Sequence, residues 1–284
     1  MAPDPKVAIA IPYGGGAIEY LRSACESLTR QNHAAWTAVV IDDSLNPAEE
    51  VAELVRSWAQ PRISYKRHQA PHGIGNAWNA CIEAADTELF CLLHADDELE
   101  PDYLRTMVDL AQAYPEASLY FCGATIIDED GLERFSLPDR VKDVIRTREE
   151  PIILNGSSAV ERLIVGNFIM CPTAMYRLSR VAGLRFSDRH RFVLDLRFNL
   201  GILFEGGLIV GTQRKAYRYR RHAAQATAQL SSTGDRFEEE LELFREIREL
   251  ASARGWDRVA SAARTRAIFR IHAALARKWK YVFA

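Results

Sequence analysis

Short, continuous apolar runs alternate with stretches of helical period through the first 125 residues, and this alternation constrains the fold more than any other feature. The runs "VAIAI" (7–11), "WTAVVID" (36–42), "RISYKR" (62–67), "ELFCLL" (88–93) and "ASLYFCG" (117–123) read as strands. Residues 17–31, 47–59 (opened by Pro47), 75–86 and a stretch from Pro101 onward read as helices. Apolar runs without polar alternation belong to strands covered on both faces. Strand and helix alternating at this spacing give an α/β fold, a mostly parallel, Rossmann-like sheet flanked by helices.

The remainder is less regular. Asp130-Gly131 within "IIDEDGLERF" (126–135) is a hairpin-turn signal. Residues 137–155 read as a long polar loop, 157–165 as a short helix, and "NFIMCPTAMYR" (167–177) as a strand. A helix near 192–204, one or two strands within 207–222 and helical pattern from about 234 to 280 complete the reading.

Bulk properties exclude several classes. With 284 residues the chain can bury a sizeable core. A net charge of −2 gives no reason to expect nucleic acid as a partner. The apolar run Val7–Ile11 is too short for a secretory core and follows Asp4 rather than basic residues. No window is apolar enough to span a bilayer. Cys25, Cys81, Cys91, Cys122 and Cys171 form no C-x-x-C pair and read as reduced, buried thiols of a cytoplasmic protein.

Ligands of open parallel sheets bind beyond the carboxyl ends of the strands. Here "VVID" runs into Asp42-Asp43-Ser44, "CLLHA" into Asp96-Asp97-Glu98, and the first strand into Pro12-Tyr13 and three glycines. Acids gathered on one rim are either solvated loop residues and helix caps or they face a cation. A hard divalent ion, Mn²⁺ or Mg²⁺, completed by a ligand's phosphates is the sharper reading. The chain has no G-x-x-x-x-G-K-[ST] motif, and "GIGNAW" (73–78) is an incomplete dinucleotide fingerprint.

These stretches together resemble the inverting family 2 of the GT-A glycosyltransferases. "VAIAIPY", "ESLTRQNHAAWTAVVIDDS" and "GIGNAWNACIEAADTELFCLLHADDELEPDYL" match its nucleotide-sugar half. "MYRLSRVAGLRFSD", "FVLDLRFNLG" and "YRYRRHAAQAT" match later landmarks in the same order, over about 220 residues. The resemblance implies a GT-A catalytic domain over 1–230, with a nucleotide-sugar half at 1–125 and an acceptor half at 126–230. A C-terminal helical extension follows at 231–284.

It also implies roles. Asp43 would read the uracil edge, with Pro12 and Tyr13 beside the base. Asp96 would lie near ribose and diphosphate, and Asp97 would be the principal metal ligand. Asn79 would lie near the donor, and Asp195 would be the general base. His222 falls where a family loop closes over the diphosphate, as a metal ligand or phosphate contact. On charge grounds Arg218, Arg220 and Arg221 read as phosphate-clamp candidates or, equally, as arginines alternating outward on a strand. Three departures stand out: His94 where the family's first acid would be, Trp78 before Asn79 in place of Arg, and "PYGGG" at the first strand end.

The expected activity is hexosyl transfer from a nucleotide-diphosphate sugar, UDP-linked by preference, to a carbohydrate or lipid-linked hydroxyl. A non-catalytic nucleotide-sugar or partner-binding module on the same fold is the alternative. A nucleotidyltransferase would need an early basic Gly-rich loop, yet no base precedes Arg22 in "PYGGGAIEYLR". A receiver domain would leave more than half the chain unused. Residues 264–284 carry six Arg or Lys, of which Arg266, Arg270, Arg277 and Lys280 fall opposite an apolar stripe of Ile268, Ile271, Leu275, Trp279 and Val282. That pattern suits packing on the domain, a homodimer contact or an anionic membrane surface.

Overall fold

The computed structural model describes residues 4–45, 49–58, 60–134, 149–222, 225 and 235–265. Its sheet begins with four parallel strands. β1 (Val7–Tyr13) lies between β2 (Trp36–Asp42) and β4 (Leu89–Leu92), and β3 (Ile63–Arg67) flanks β2. Every residue of β4 is buried, as expected for a strand covered on both faces. Helices α1 (Ile18–Thr29), α2 (Glu49–Ser57), α3 (Ile74–Ala84) and α4 (Tyr103–Ala113) make the connections. In α1, Leu21, Ala24, Cys25 and Leu28 repeat at i, i+3, i+4 and i+7 and are fully buried against the sheet.

The second half turns the sheet mixed. β8 (Ala174–Arg177) is inserted antiparallel between β4 and β6 (Leu119–Ile127). The twelve-residue β9 (Ile209–Arg220) runs parallel to β6. β5 (Glu98–Leu99) and β7 (Ile152–Leu154) each pair antiparallel with β9. The described strands form one nine-stranded sheet, ordered β3-β2-β1-β4-β8-β6-β9-β5 with β7 alongside β9.

Two apolar layers cover its faces. One holds α1, α2 and α4; the other holds α3, α5 (Gly156–Val165), α7 (Leu194–Phe204), α8 (Asp235–Ala253) and α9 (Asp257–Thr265), with the one-turn α6 (Leu178–Val181) at its edge. Buried residues fall on more than one side of α7, which fits a helix enclosed between layers. Leu243, Ile247, Ala251, Val259 and Ala263 of the C-terminal helices share the core of the second layer.

Two element readings change. "NFIMCPTAMYR" is not one strand: Pro172, which has no N–H to give a ladder, sits in a 3₁₀ turn at Cys171–Thr173, and only Ala174–Arg177 is extended. Residues 152–154, read as loop, are β7. The Asp130-Gly131 turn forms as expected, with Gly131 at φ +80 and Ile127 bridged to Glu133. The loop over 137–148 and the basic stretch over 266–284 lie outside the described residues.

All five cysteines are free, four of them buried. Burial pushes the Cys25 and Cys91 thiols up to about 12. No described helix is long and apolar enough to cross a membrane.

Candidate active site

The parallel strands β1, β2 and β4 deliver their ends to one rim, where Tyr13 stands opposite Asp42 in register. Each of the two acidic pairs on that rim is divided between an anchor and a more accessible acid. Asp42 is an anchor, its side chain wholly buried. Its Oδ1 accepts from the Ser44 amide at 3.0 Å and the Ser44 hydroxyl at 2.6 Å, and pairs with Arg67 at 3.0 Å. Its Oδ2 accepts from the Tyr65 hydroxyl at 2.9 Å. Burial pushes this carboxyl up, but the Ser44, Tyr65 and Arg67 contacts outweigh it, and the net shift is downward.

Asp43, 8% exposed, follows at the strand end. Its amide donates to the Tyr13 carbonyl at 2.7 Å. Its Oδ1 lies 2.6 Å from His72 Nδ1, and Oδ2 accepts the Gly73 amide at 3.1 Å. The carboxylate is thus aimed by α3's leading loop. Pro12 lies beside Tyr13 on β1, and the Tyr13 hydroxyl donates to the Gly16 carbonyl at 2.9 Å, folding the glycine loop back on itself. Gly15 and Gly16 have φ of +100 and +131, conformations that a side chain would strain.

In the second pair the order is reversed. Asp97 is fully buried; its Oδ2 accepts the Tyr217 hydroxyl at 3.0 Å and its Oδ1 the Arg220 amide at 2.8 Å. Burial, then the neighbouring Asp96, pushes its carboxyl well above the ordinary range. Asp96 is the accessible acid, its side chain 28% exposed, with Oδ2 2.9 Å from His222 Nε2. Asp97 is thus the anchor of the second pair. Both its oxygens are engaged in holding β9, while Asp96 faces outward.

His94 lies behind this pair, its ring 5.3 Å from that of Trp78 and Nδ1 3.8 Å from Asp97 Oδ2. Its Nε2 is buried without a hydrogen-bond partner among the described residues. Burial lowers its pKa, favouring neutral imidazole. Ligand atoms of His94, Asp96 and Asp97 lie within 4.8 Å of one another. An imidazole with carboxylates is a donor set that suits Mn²⁺ and tolerates Mg²⁺.

Several expected donor contacts have other partners. Arg220, 3% exposed, donates to the Asp96 carbonyl at 2.8 Å, to the Asp128 carbonyl at 2.9 Å and to Glu98 at 2.5 Å. Arg218 pairs with Glu98 and Glu100 and donates to the Gly131 carbonyl at 2.7 Å. These two arginines brace the acidic loop and the 126–134 hairpin. Glu98 is their shared counter-ion. The Arg221 amide donates to the Ile127 carbonyl at 2.9 Å, which fixes where β9 releases its partly buried side chain.

Asn79 is likewise bonded within the protein. Its amide nitrogen donates to the Phe186 carbonyl and its oxygen accepts the Phe186 amide, both at 2.9 Å. That reciprocal pair fastens α3 to the segment leading into α7. Gly75 permits the approach, since a Cβ there would lie 2.0 Å from the Ser187 carbonyl oxygen.

Asp195 occupies the first turn of α7 and is partly buried. Its charge reaches Cys171 and Tyr176, adding to burial in raising both groups. Cys171 also feels Asp97. The base candidate and Asp97 thus both lie near enough to Cys171 to act on its thiol, although more than 95 residues separate them in the chain.

Compared with known proteins, residues 9–180 match the model of glycosyl transferase family 2. The chain belongs to that family. The succinoglycan biosynthesis protein ExoO of Rhizobium meliloti is 34% identical to this glycosyltransferase over 90 residues, which are 32% of this chain and 25% of that protein. Curated relatives are matched over less than half of their own length. Residues 1-349 of S. aureus TarS share the fold with a TM-score of 0.65 at 14% identity, covering 92% of this chain and 71% of that one. The mannosyltransferase PcManGT of Pyrobaculum calidifontis, solved with GDP-Man and Mn2+, has a TM-score of 0.63 at 15% identity, covering 100% and 77%. The glycosyltransferase thus has the GT-A architecture expected of its sequence.

Proposed function

We propose that this glycosyltransferase moves a sugar, with inversion and with a divalent metal, from a nucleotide-diphosphate donor to an acceptor hydroxyl of a cell-envelope polysaccharide or glycolipid. One observation carries the reading: an accessible carboxylate, Asp96, stands at the β4 end with His222 2.9 Å away and a ligand atom of His94 within 4.8 Å. Metal and diphosphate belong at that carboxylate, and Asp195, in the first turn of α7, is the base for the acceptor.

Asp96 would hold Mn²⁺ or Mg²⁺, with His222 beside it and Asp97 fixing the loop from behind. When bound, the metal supplies Lewis-acid compensation for charge developing on the departing diphosphate. Asp43, aimed by His72 and Gly73, accepts an N–H from the base. Uracil offers N3–H in that place, and we take UDP as the carrier; TarS has also been solved with UDP-GlcNAc. Asp195 takes the acceptor hydroxyl's proton as that oxygen attacks the anomeric carbon. A positioned carboxylate in such a role contributes about 10²–10⁴-fold. The acceptor class rests on relatives such as ExoO, named for succinoglycan synthesis. A cytoplasmic site at the inner membrane face suits a lipid-linked acceptor.

Thermal shift with UDP, GDP and dTDP, each with and without Mn²⁺, tests the donor side. Metal-dependent stabilisation by UDP above the other two is expected. A larger shift with GDP would reassign the carrier, and no shift with any nucleotide would remove the donor reading. Donor stabilisation without sugar transfer, unchanged in Asp195→Asn, would favour a binding module.

A further inference from the structure

The backbone immediately before Asp195 forms an anion-binding nest that the chain fills itself. The amides of Arg191, Phe192 and Val193 converge on the carboxylate of Glu239 in α8. Oε1 accepts Arg191 at 2.9 Å; Oε2 accepts Arg191 at 3.0 Å, Phe192 at 2.7 Å and Val193 at 3.2 Å. Val193 is the N-cap of α7 and makes no side-chain cap bond. Helix N-termini expose unpaired amides and attract negative charge. Here a residue more than 40 positions away in the chain supplies the cap that the local sequence lacks.

The same face of α8 makes further attachments. Glu242 Oε2 lies 3.6 Å from His190 Nε2, and Glu246 pairs with Arg197 at 2.9 Å. Glu239, Glu242 and Glu246 are spaced i, i+3 and i+7, so one helical stripe grips the start of α7 on both sides of Asp195. From the opposite side, Asn79 and Gly75 of α3 hold Phe186 and Ser187. Residues 186–193 are thus fixed between the nucleotide-side helix and the C-terminal helix.

We infer that Glu239 is a positioning residue for Asp195, and that the C-terminal helix α8 is part of the transfer machinery. The inference rests on the reading of Asp195 as the base. Without Glu239 three amides lose their acceptor, and the first turn of α7 is free to shift. Displacing a reacting group by about 1 Å can cost up to about 100-fold in rate.

The test is a double-mutant cycle on the full chain, using Glu239→Ala, Glu239→Gln, Asp195→Asn and Glu239→Ala/Asp195→Asn, with the exposed Glu249→Gln as control. Sugar transfer from the donor that turns over is assayed below each variant's Tm and normalised to Mn²⁺·nucleotide-binding sites. Glu239→Ala should lower kcat about 10- to 100-fold with donor KM within about twofold. Glu239→Gln, which keeps a carbonyl acceptor, should recover part of the loss. In the Asp195→Asn background Glu239→Ala should add nothing. An additive loss, a proportional change in kcat and KM, or an unchanged kcat with only a lowered Tm would overturn the inference. Asp195→Asn with wild-type kcat would instead remove the base reading, and with it the link between the two residues.

Discussion

The acidic rim and the approach to Asp195 present carboxylates in two different ways. On the rim, buried strands fix the carboxylates, and each ligand-side acid has a fully buried neighbour as its anchor: Asp42 for Asp43, Asp97 for Asp96. Asp195 has no strand end beneath it. Its position depends on a loop pinned by side chains from α3 and α8. The rim is rigid through its local strand geometry, whereas Asp195 is rigid only if distant parts of the chain have docked. Damage should therefore separate: donor and metal binding fail with the rim, and turnover fails with the α7 approach.

Breaking that separation is the most informative test. The largest effect should come from Asp195→Asn, with kcat falling about 10²–10⁴-fold and Mn²⁺·UDP binding unchanged by calorimetry. A matching loss of nucleotide affinity would merge the two regions. Next, Arg220→Met should cost roughly 1–3 kcal/mol in chemical denaturation, because the Asp96 and Asp128 carbonyls lose their donor while Glu98 keeps Arg218. Asn79→Ala should cost about 1–3 kcal/mol for the Phe186 amide and carbonyl left unpaired. Its donor Kd should stay near wild type; a tenfold weaker Kd would return Asn79 to the donor site.

The smallest effect sharpens the anchor idea through pH. The Asp42 carboxyl sits lower in the folded chain than in the unfolded one. Its stabilisation is therefore complete above the unfolded value near about 4 and is lost as pH falls through the lower folded value. Asp42→Asn should flatten the acid limb of stability against pH. An unchanged limb would mean that Asp42 is no anchor.

Much of the rim was legible in the sequence. Continuous apolar runs located β1, β2 and β4 within a residue or two, and their ends located the acids. The division of labour within Asp96-Asp97 was not legible. It is set by Tyr217 and the Arg220 amide, more than 115 positions downstream, where alternating arginines read equally well as phosphate contacts. β7 escaped notice because three residues carry no periodicity. Glu239 left one faint trace, an acidic i, i+3, i+7 stripe on an otherwise ordinary charged helix. Such a stripe means little until the amides it faces are known.

The central claim is that the two acids after β4 have opposite jobs, and calorimetry of Mn²⁺·UDP against Asp96→Asn and Asp97→Asn tests it directly. Asp96→Asn should keep the wild-type Tm and lose the metal-dependent part of the affinity. Asp97→Asn should bind Mn²⁺·UDP to within severalfold of wild type but melt earlier. Wild-type Mn²⁺·UDP affinity in Asp96→Asn, with the loss appearing in Asp97→Asn at unchanged Tm, would contradict the account.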